Sequence, residues 1–225
     1  MELSDFILTH KKEINENNFT KVYEDAYNSL DAWFRDSSSI GKLTEIFMDA
    51  GIEPLSYMKT VPSRYLDGSN ITFIEIPNNI KSIGDLAFSA CTRLESITIP
   101  DNVTYIGRWA FSDCNSLTSI ELPDNLTDIG DSAFFNCMGF TSVTIPDKVT
   151  TIDSWAFCNC QNLTSITIPS SLKNIGGCVF GKCKNLRDIN FKGTLEQWEA
   201  ISKSIVWNIQ MNNYTIHCKD GDLEA

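Results

Sequence analysis

The sequence predicts an α/β solenoid: a right-handed coil of short parallel strands, opened by a helical N-terminal cap and closed by an α/β C-terminal cap. Three observations predict it. The dipeptides Ile76-Pro77, Ile99-Pro100, Leu122-Pro123, Ile145-Pro146 and Ile168-Pro169 recur every 23 residues. Cys91, Cys114, Cys137, Cys160 and Cys183 recur at the same period. So does Ala-Phe, at 87–88, 110–111, 133–134 and 156–157, ending in Val179-Phe180. A fixed period of this length marks a repeat architecture, in which no unit buries its apolar face alone and neighbours stack into one core.

The 225 residues divide into a helical segment (1–70), five repeats (71–188) and a terminal cap (189–225). In the first, Phe19, Val22, Tyr23, Ala26, Leu30 and Trp33/Phe34 fall at helical spacing and form one apolar stripe. Ser37–Ser39 offer an N-cap to a second helix through Ile40, Leu43, Ile46 and Phe47, which Gly51 closes. Pro54 suits a further helix start, and Pro62 a turn before Tyr65 and Leu66. The helices shield the first coil, and any stripe left over offers a homodimer contact.

Each repeat reads as a short strand and a return. In Leu94-Glu-Ser-Ile97-Thr-Ile99-Pro100 the apolar residues alternate, placing Ile97 and Ile99 on the inner face. Pro100 has no N–H to donate and ends the strand. Ile106-Gly107 follows a turn, the glycine allowing a close backbone approach. Ala110-Phe111 and Cys114 then point inward along a short helical return. The Ile-Gly pair lapses only at Ile152-Asp153. In the last segment Thr194 and Gln197 form a capping box, and Trp198 and Trp207 cover the final coil.

Composition narrows the function. The net charge is −11, from 29 acidic and 18 basic residues. Residues 1–70 hold 12 acids and 7 bases, so the acidity is not confined to one end. Such a surface repels phosphate backbones, which argues against direct nucleic-acid binding and favours a partner with a basic surface. No stretch approaches 18 apolar residues, and the opening MELSDFILTHKKEINENNF lacks the basic-then-apolar order of a signal peptide, so a cytoplasmic location is expected. The asparagines of the N-x-S/T triplets at Asn18, Asn70, Asn102, Asn125, Asn162 and Asn213 read as turn residues.

No catalytic constellation emerges, and no cofactor or metal is expected. The two histidines, His10 and His217, lie at opposite ends of the chain. The periodic cysteines read as a ladder of small buried hydrophobes, and Cys158, Cys160, Cys178 and Cys183 lack a structural-zinc spacing. Strand alternation instead defines a candidate protein-binding face, concave and small in side chain: Phe73/Glu75, Ser96/Thr98, Ser119/Glu121, Ser142/Thr144, Ser165/Thr167 and Asp188/Asn190. Trp109 and Trp155, at one repeat position two coils apart, form an alternative site, although packing on their neighbours also accounts for them.

The motif LxSIxIPxxVxxIGxxAFxxC, at Leu94 to Cys114 and again with small lapses at Leu163 to Cys183, resembles the BspA-like (Treponema pallidum-type) leucine-rich repeat family. The tail Phe191–Trp198, with Trp207 and Tyr214-Thr-Ile-His-Cys218-Lys-Asp-Gly221, is similar to that family's terminal cap. The resemblance implies a leucine-rich repeat solenoid and a protein-interaction role, and family members include surface adhesins. The stretch Ile40 to Leu55 is similar to leaders of repeat proteins in bacteriophages and their hosts. That second likeness implies a phage or prophage origin. Together with the acidic surface and the lack of an export signal, it leads to the expectation of a cytoplasmic protein that binds and regulates or inhibits a host protein, such as a defence nuclease whose basic groove it would occupy. A surface adhesin and a self-associating structural protein are the alternatives.

Overall fold

The computed structural model describes residues 53–224. The helices expected earlier in the chain, with the homodimer stripe they carry, lie outside the described residues. Fourteen strands fall within them: β1 (Thr60–Val61), β2 (Phe73–Glu75), β3 (Ser82–Ile83), β4 (Ser96–Thr98), β5 (Tyr105–Ile106), β6 (Asp128–Ile129), β7 (Ser142–Thr144), β8 (Thr151–Ile152), β9 (Ser165–Ile168), β10 (Asn174–Ile175), β11 (Asp188–Phe191), β12 (Ser202–Lys203), β13 (Thr215–Cys218) and β14 (Gly221–Glu224).

They form the two walls of a parallel solenoid. The two-residue strands make a seven-stranded sheet in the order β1-β3-β5-β6-β8-β10-β12. The longer strands make the other wall, where β2 pairs with β4, and β7, β9, β11 and β13 follow in one parallel run. Strand β14 folds back antiparallel on β13. Identical residues stand opposite one another in successive coils, as Ile83, Ile106, Ile129 and Ile152 do, because the sequence period equals one turn of chain.

The coil starts earlier than the sequence period suggests. Residues 53–69 do not complete the expected helical segment: Pro54–Tyr57 is one 3-10 turn, and β1 pairs with β3, Thr60 opposite Ser82. The amides of Arg64, Leu66 and Gly68 then donate to Asp85, Ala87 and Ser89 of the next coil. Here Tyr65-Leu66 stands where other coils carry Ala-Phe, so the large and small positions are exchanged and the motif is hidden.

The expected helical return is also absent. Across Gly107–Cys114 every second amide leaves the coil: Trp109, Phe111 and Asp113 donate to Asp131, Ala133 and Phe135 at 2.8–3.0 Å. Amides that reach outward cannot close i→i−4 helical bonds. The segment is a run of tight turns, and it requires left-handed residues at fixed points, Trp109 (φ 57°) and Asp113 (φ 61°), repeated at Ser132/Asn136 and Trp155/Asn159. Such a conformation is strained for residues other than Gly, Asn and Asp, and the bonds to the next coil hold it in place.

Side chains stack as the backbone does. Phe88, Phe111, Phe134, Phe157 and Phe180 are buried, with successive ring centroids 5.3, 5.4, 5.2 and 6.1 Å apart and planes within 23° of parallel. Each buried ring contributes about 1.5–3 kcal/mol of hydrophobic stabilisation, and the offset stack adds to it. Beside this column runs the thiol ladder. Each Sγ–H of Cys114, Cys137, Cys160 and Cys183 donates to the phenylalanine carbonyl of the preceding coil, at 3.2, 3.0, 3.3 and 3.1 Å. A thiol fits here because it is small and apolar yet supplies a weak donor.

The last coil meets a different set of rings. Helix α1 (Leu195–Ala200) begins at the capping box of Thr194 and Gln197. Trp198 lies edge-on to Phe191 and Trp207, and Trp207 edge-on to Phe180 and Tyr214. The parallel stack thus ends in crossed rings, which present no flat face for a further coil.

Glycine sets the spacing between coils. A Cβ on Gly107 would lie 2.7 Å from the Asp85 amide nitrogen and the Gly84 carbonyl carbon, inside contact distance of the neighbouring backbone. At the one lapse, Asp153, the amide-to-Ile129 bond lengthens to 3.4 Å, against 2.8–2.9 Å at Gly84, Gly107, Gly130 and Gly176. Gly107→Ala is therefore expected to lower the unfolding free energy by about 1–3 kcal/mol in urea titration. Gly177→Ala, whose Cβ meets nothing closer than 3.5 Å, is expected to leave it unchanged or raise it slightly.

Candidate functional site

The long strands project alternate residues outward. Ile74, Ile97, Val143, Ile166 and Ile189 point into the core, which turns their flanking residues to solvent or half-exposes them. The structure brings ten of the twelve expected face residues onto strands. Phe73 and Glu75 stand opposite Ser96 and Thr98, and Ser142 and Thr144 opposite Ser165 and Thr167, followed by Asp188 and Asn190. Thr215 and His217 extend both columns by one coil. Sequence reading stopped short of them because the step from Asp188 to Thr215 is longer than the repeat.

Ser119 and Glu121 are the exceptions. They are exposed as expected, but residues 118–122 form no strand. Among the described residues, no backbone hydrogen bond joins this stretch to either neighbouring coil. The lapse falls beside Phe140, which replaces the leucine found at Leu94, Leu117, Leu163 and Leu186 and packs 5.9 Å from Phe134. Ser119, Glu121, Ser142, Thr144 and Lys192 border an open hollow of about 330 Å3 at the break. Lys192 spans its rim to Asp147 at 2.7 Å, an exposed ion pair of small energetic weight.

At the far end of the face His217 sits between two carboxylates, Nε2 3.1 Å from Asp188 and Nδ1 3.1 Å from Asp222. The hydrogen bond to Asp188 outweighs the opposing effect of burial and, with the hydrogen bond to Asp222 and the charges of both carboxylates, holds the imidazole above its usual value. The protonated ring donates to both and ties the terminal hairpin to the last coil.

Trp109 and Trp155 lie on the opposite limb, after the two-residue strands. Between them Ser132 is buried and Phe135 moves into line, giving centroids 5.4 Å apart for Trp109–Phe135 and 6.4 Å for Phe135–Trp155. The two tryptophans do pack on a neighbour, yet Trp155 keeps 42% of its surface exposed. Phe135 escaped sequence reading because it belongs to a different repeat position.

Several buried thiols are chemically quiet. Burial raises Cys114, Cys137 and Cys160, and pushes Cys158 up to about 11. Their thiolate fraction at neutral pH is correspondingly small. Among the described residues no group of three or more His, Cys, Asp or Glu side chains could hold a metal ion, and no helix is long and apolar enough to cross a membrane. What the molecule offers is extended surface on a rigid coil, which is suited to recognition.

Comparison with known proteins agrees with that architecture. The model of the BspA type leucine rich repeat region matches six copies, over residues 59–187 and 110–221, and the chain belongs to this family. A leucine rich cell surface protein from Faecalibacterium prausnitzii is 36% identical over 60% of this chain and 35% of its own, with a TM-score of 0.58. The T. pallidum leucine rich repeat protein is 31% identical over 59% of this chain and 65% of its own, with a TM-score of 0.56. A leucine-rich repeat protein from Bacteroides ovatus, 23% identical with a TM-score of 0.50, shares the fold. The chain spans less than two thirds of each of these relatives. No curated protein matches it.

The His217 clasp makes stability depend on pH. A folded-state value above the unfolded one of about 6.5 stabilises the protein below that pH, and the gain is lost as pH rises through the folded value. The thermal midpoint of the wild type is expected to fall more between about pH 6 and pH 8 than that of His217→Gln. Parallel pH profiles for the two proteins would contradict the clasp.

Proposed function

We propose that this chain is a non-enzymatic protein-binding solenoid whose partner lies across the long-strand face. The observation that carries this reading is the pair of continuous outward columns, Ser142–Ser165–Asp188–Thr215 and Thr144–Thr167–Asn190–His217, in unbroken parallel register. Short polar side chains on a rigid wall lose little entropy on contact and leave room for a partner's larger groups. The family's repeat architecture supports the same role. The net charge of −11 favours a partner with a basic surface.

One observation favours a second setting for the same activity. The Faecalibacterium prausnitzii relative is named a cell surface protein, which supports an adhesin-like role at a cell boundary. The phage-encoded inhibitor of a defence nuclease draws no support from these relatives.

The test is capture of partners, at low and high salt, by the wild type, by Ser142→Arg/Thr167→Arg and by the off-face control Asn162→Arg. A stoichiometric partner held by the wild type and the control but released by the double variant is the expected result. Equal capture by all three, or none by the wild type, contradicts the reading.

A further inference from the structure

The limb opposite the long strands carries a second surface whose composition differs from the first. Trp109, Phe135 and Trp155 form a stripe of rings across three coils, each in contact with the next. Large rings left 42% exposed at Trp155 and 39% at Tyr105, with Trp109 and Phe135 half-buried, stand apart from the fully buried phenylalanine stack of Phe88, Phe111, Phe134, Phe157 and Phe180. The stripe is also preorganised. Trp109 and Trp155 are held at φ 57° and 62° by amide bonds to Asp131 and Gly177 of the following coils. Ser132, the small residue between them, opens the space that Phe135 fills.

Carboxylates flank these rings. Asp131 adjoins Ser132, whose hydroxyl it accepts at 2.9 Å, and Asp153 lies two residues before Trp155. Asp128 stands on β6, between Tyr105 and Thr151 in the register of the sheet. Arg108 offsets part of the negative field at Asp153 and Tyr105, and its amide is bonded to Asp85 at 2.8 Å. Partial burial and then the negative fields of Asp131 and Asp128 raise Asp153, so a further positive charge here would relieve repulsion already present. Among the described residues a cation does cover a ring elsewhere, Lys203 at 4.7 Å from the Trp198 centroid, but none covers a ring of this stripe.

A partly exposed indole beside carboxylates is the chemistry that receives a guanidinium, which stacks on the ring and directs its N–H fork at the acid. We propose that the stripe Trp109–Phe135–Trp155, with Asp128, Asp131 and Asp153, docks an arginine-bearing segment of a partner protein. Spacing refines the ligand. Trp109 and Trp155 are two coils apart, roughly 10 Å at the usual strand separation. A polyproline II segment advances about 9.3 Å per three-residue turn, which presents residues i and i+3 on one face at that distance. The segment therefore carries two arginines three residues apart, in an extended, proline-compatible stretch. This inference rests on the protein-binding reading above, and it assigns a face and a chemistry that the long-strand columns do not.

The test uses the full chain and the fluorescein-labelled peptide Gly-Gly-Arg-Pro-Pro-Arg-Gly-Gly, read by anisotropy, with lysine and glutamine versions in place of both arginines. The arginine peptide is expected to bind in a salt-sensitive manner, the lysine version more weakly and the glutamine version not at all. Trp155→Ala is expected to weaken binding by about tenfold, with part of it restored in Trp155→Phe. Asp131→Asn/Asp153→Asn should weaken it as well. Ser142→Arg/Thr167→Arg should bind the peptide like the wild type, which separates this surface from the long-strand face. Equal affinity for the arginine and lysine peptides together with indifference to Trp155→Ala would reduce the effect to general charge attraction and overturn the proposal. Absence of arginine-peptide binding overturns it too, while the partner-capture result for the long-strand face stands on its own.

Discussion

The described coils are shaped by one requirement, that each return limb satisfy its backbone through the next coil. Trp109, Phe111 and Asp113 donate outward to one neighbour, and Ser132, Phe134 and Asn136 repeat the pattern one turn later. Once alternate amides are committed in this way, the return limb cannot be helical. It becomes a series of turns with left-handed residues at two fixed points per coil. The same commitment explains why glycine recurs after the buried isoleucine, since backbone there approaches backbone too closely for a Cβ. It also explains why one sequence column becomes one physical column. Phenylalanine rings, thiols and isoleucines stack on their own kind because the chain returns to the same place every 23 residues.

Repetition creates a surface as well as a core. A globular domain arranges polar groups around a compact centre, whereas a coil repeats the same outward positions and produces flat, ordered columns. The two walls then diverge in character. On the long strands the outward positions are mostly Ser and Thr, giving a smooth polar face that ends in the His217–Asp188–Asp222 group. On the return limb the substitutions are irregular, with Trp109, Ser132 and Trp155 in one column and Phe135 in another. Irregularity within a repeat is where function can be written without disturbing the fold, because the repeated residues already hold the backbone.

Much of this was legible in the sequence, because a strict period converts spacing directly into contact. The inward isoleucines, the phenylalanine stack, the buried cysteines and the outward Ser/Thr positions all follow from counting. What escaped counting did so for physical reasons. The first coil hides behind Tyr65-Leu66, where the large and small side chains trade places. The return limb looks helical in pattern, since Ala110-Phe111 and Cys114 are spaced as on a helix, but hydrogen bonds to the next coil override the local preference. The break at 118–122 lies beside Phe140, a hydrophobic substitution that leaves the motif intact to the eye. Phe135 enters the aromatic stripe from another repeat position, so no single column could reveal it.

Amide hydrogen exchange, resolved by residue, tests the coil-to-coil bonding most directly. The account predicts slow exchange at Trp109, Phe111 and Asp113 and at Thr164 and Arg187, all of which donate to an adjacent coil. It predicts fast exchange across 118–122, where the ladder on the long-strand wall is interrupted. Protection at 118–122 equal to that of Thr164 and Arg187, or continuous helix-like protection through residues 107–114, would contradict the bonding pattern on which the fold and both surfaces depend.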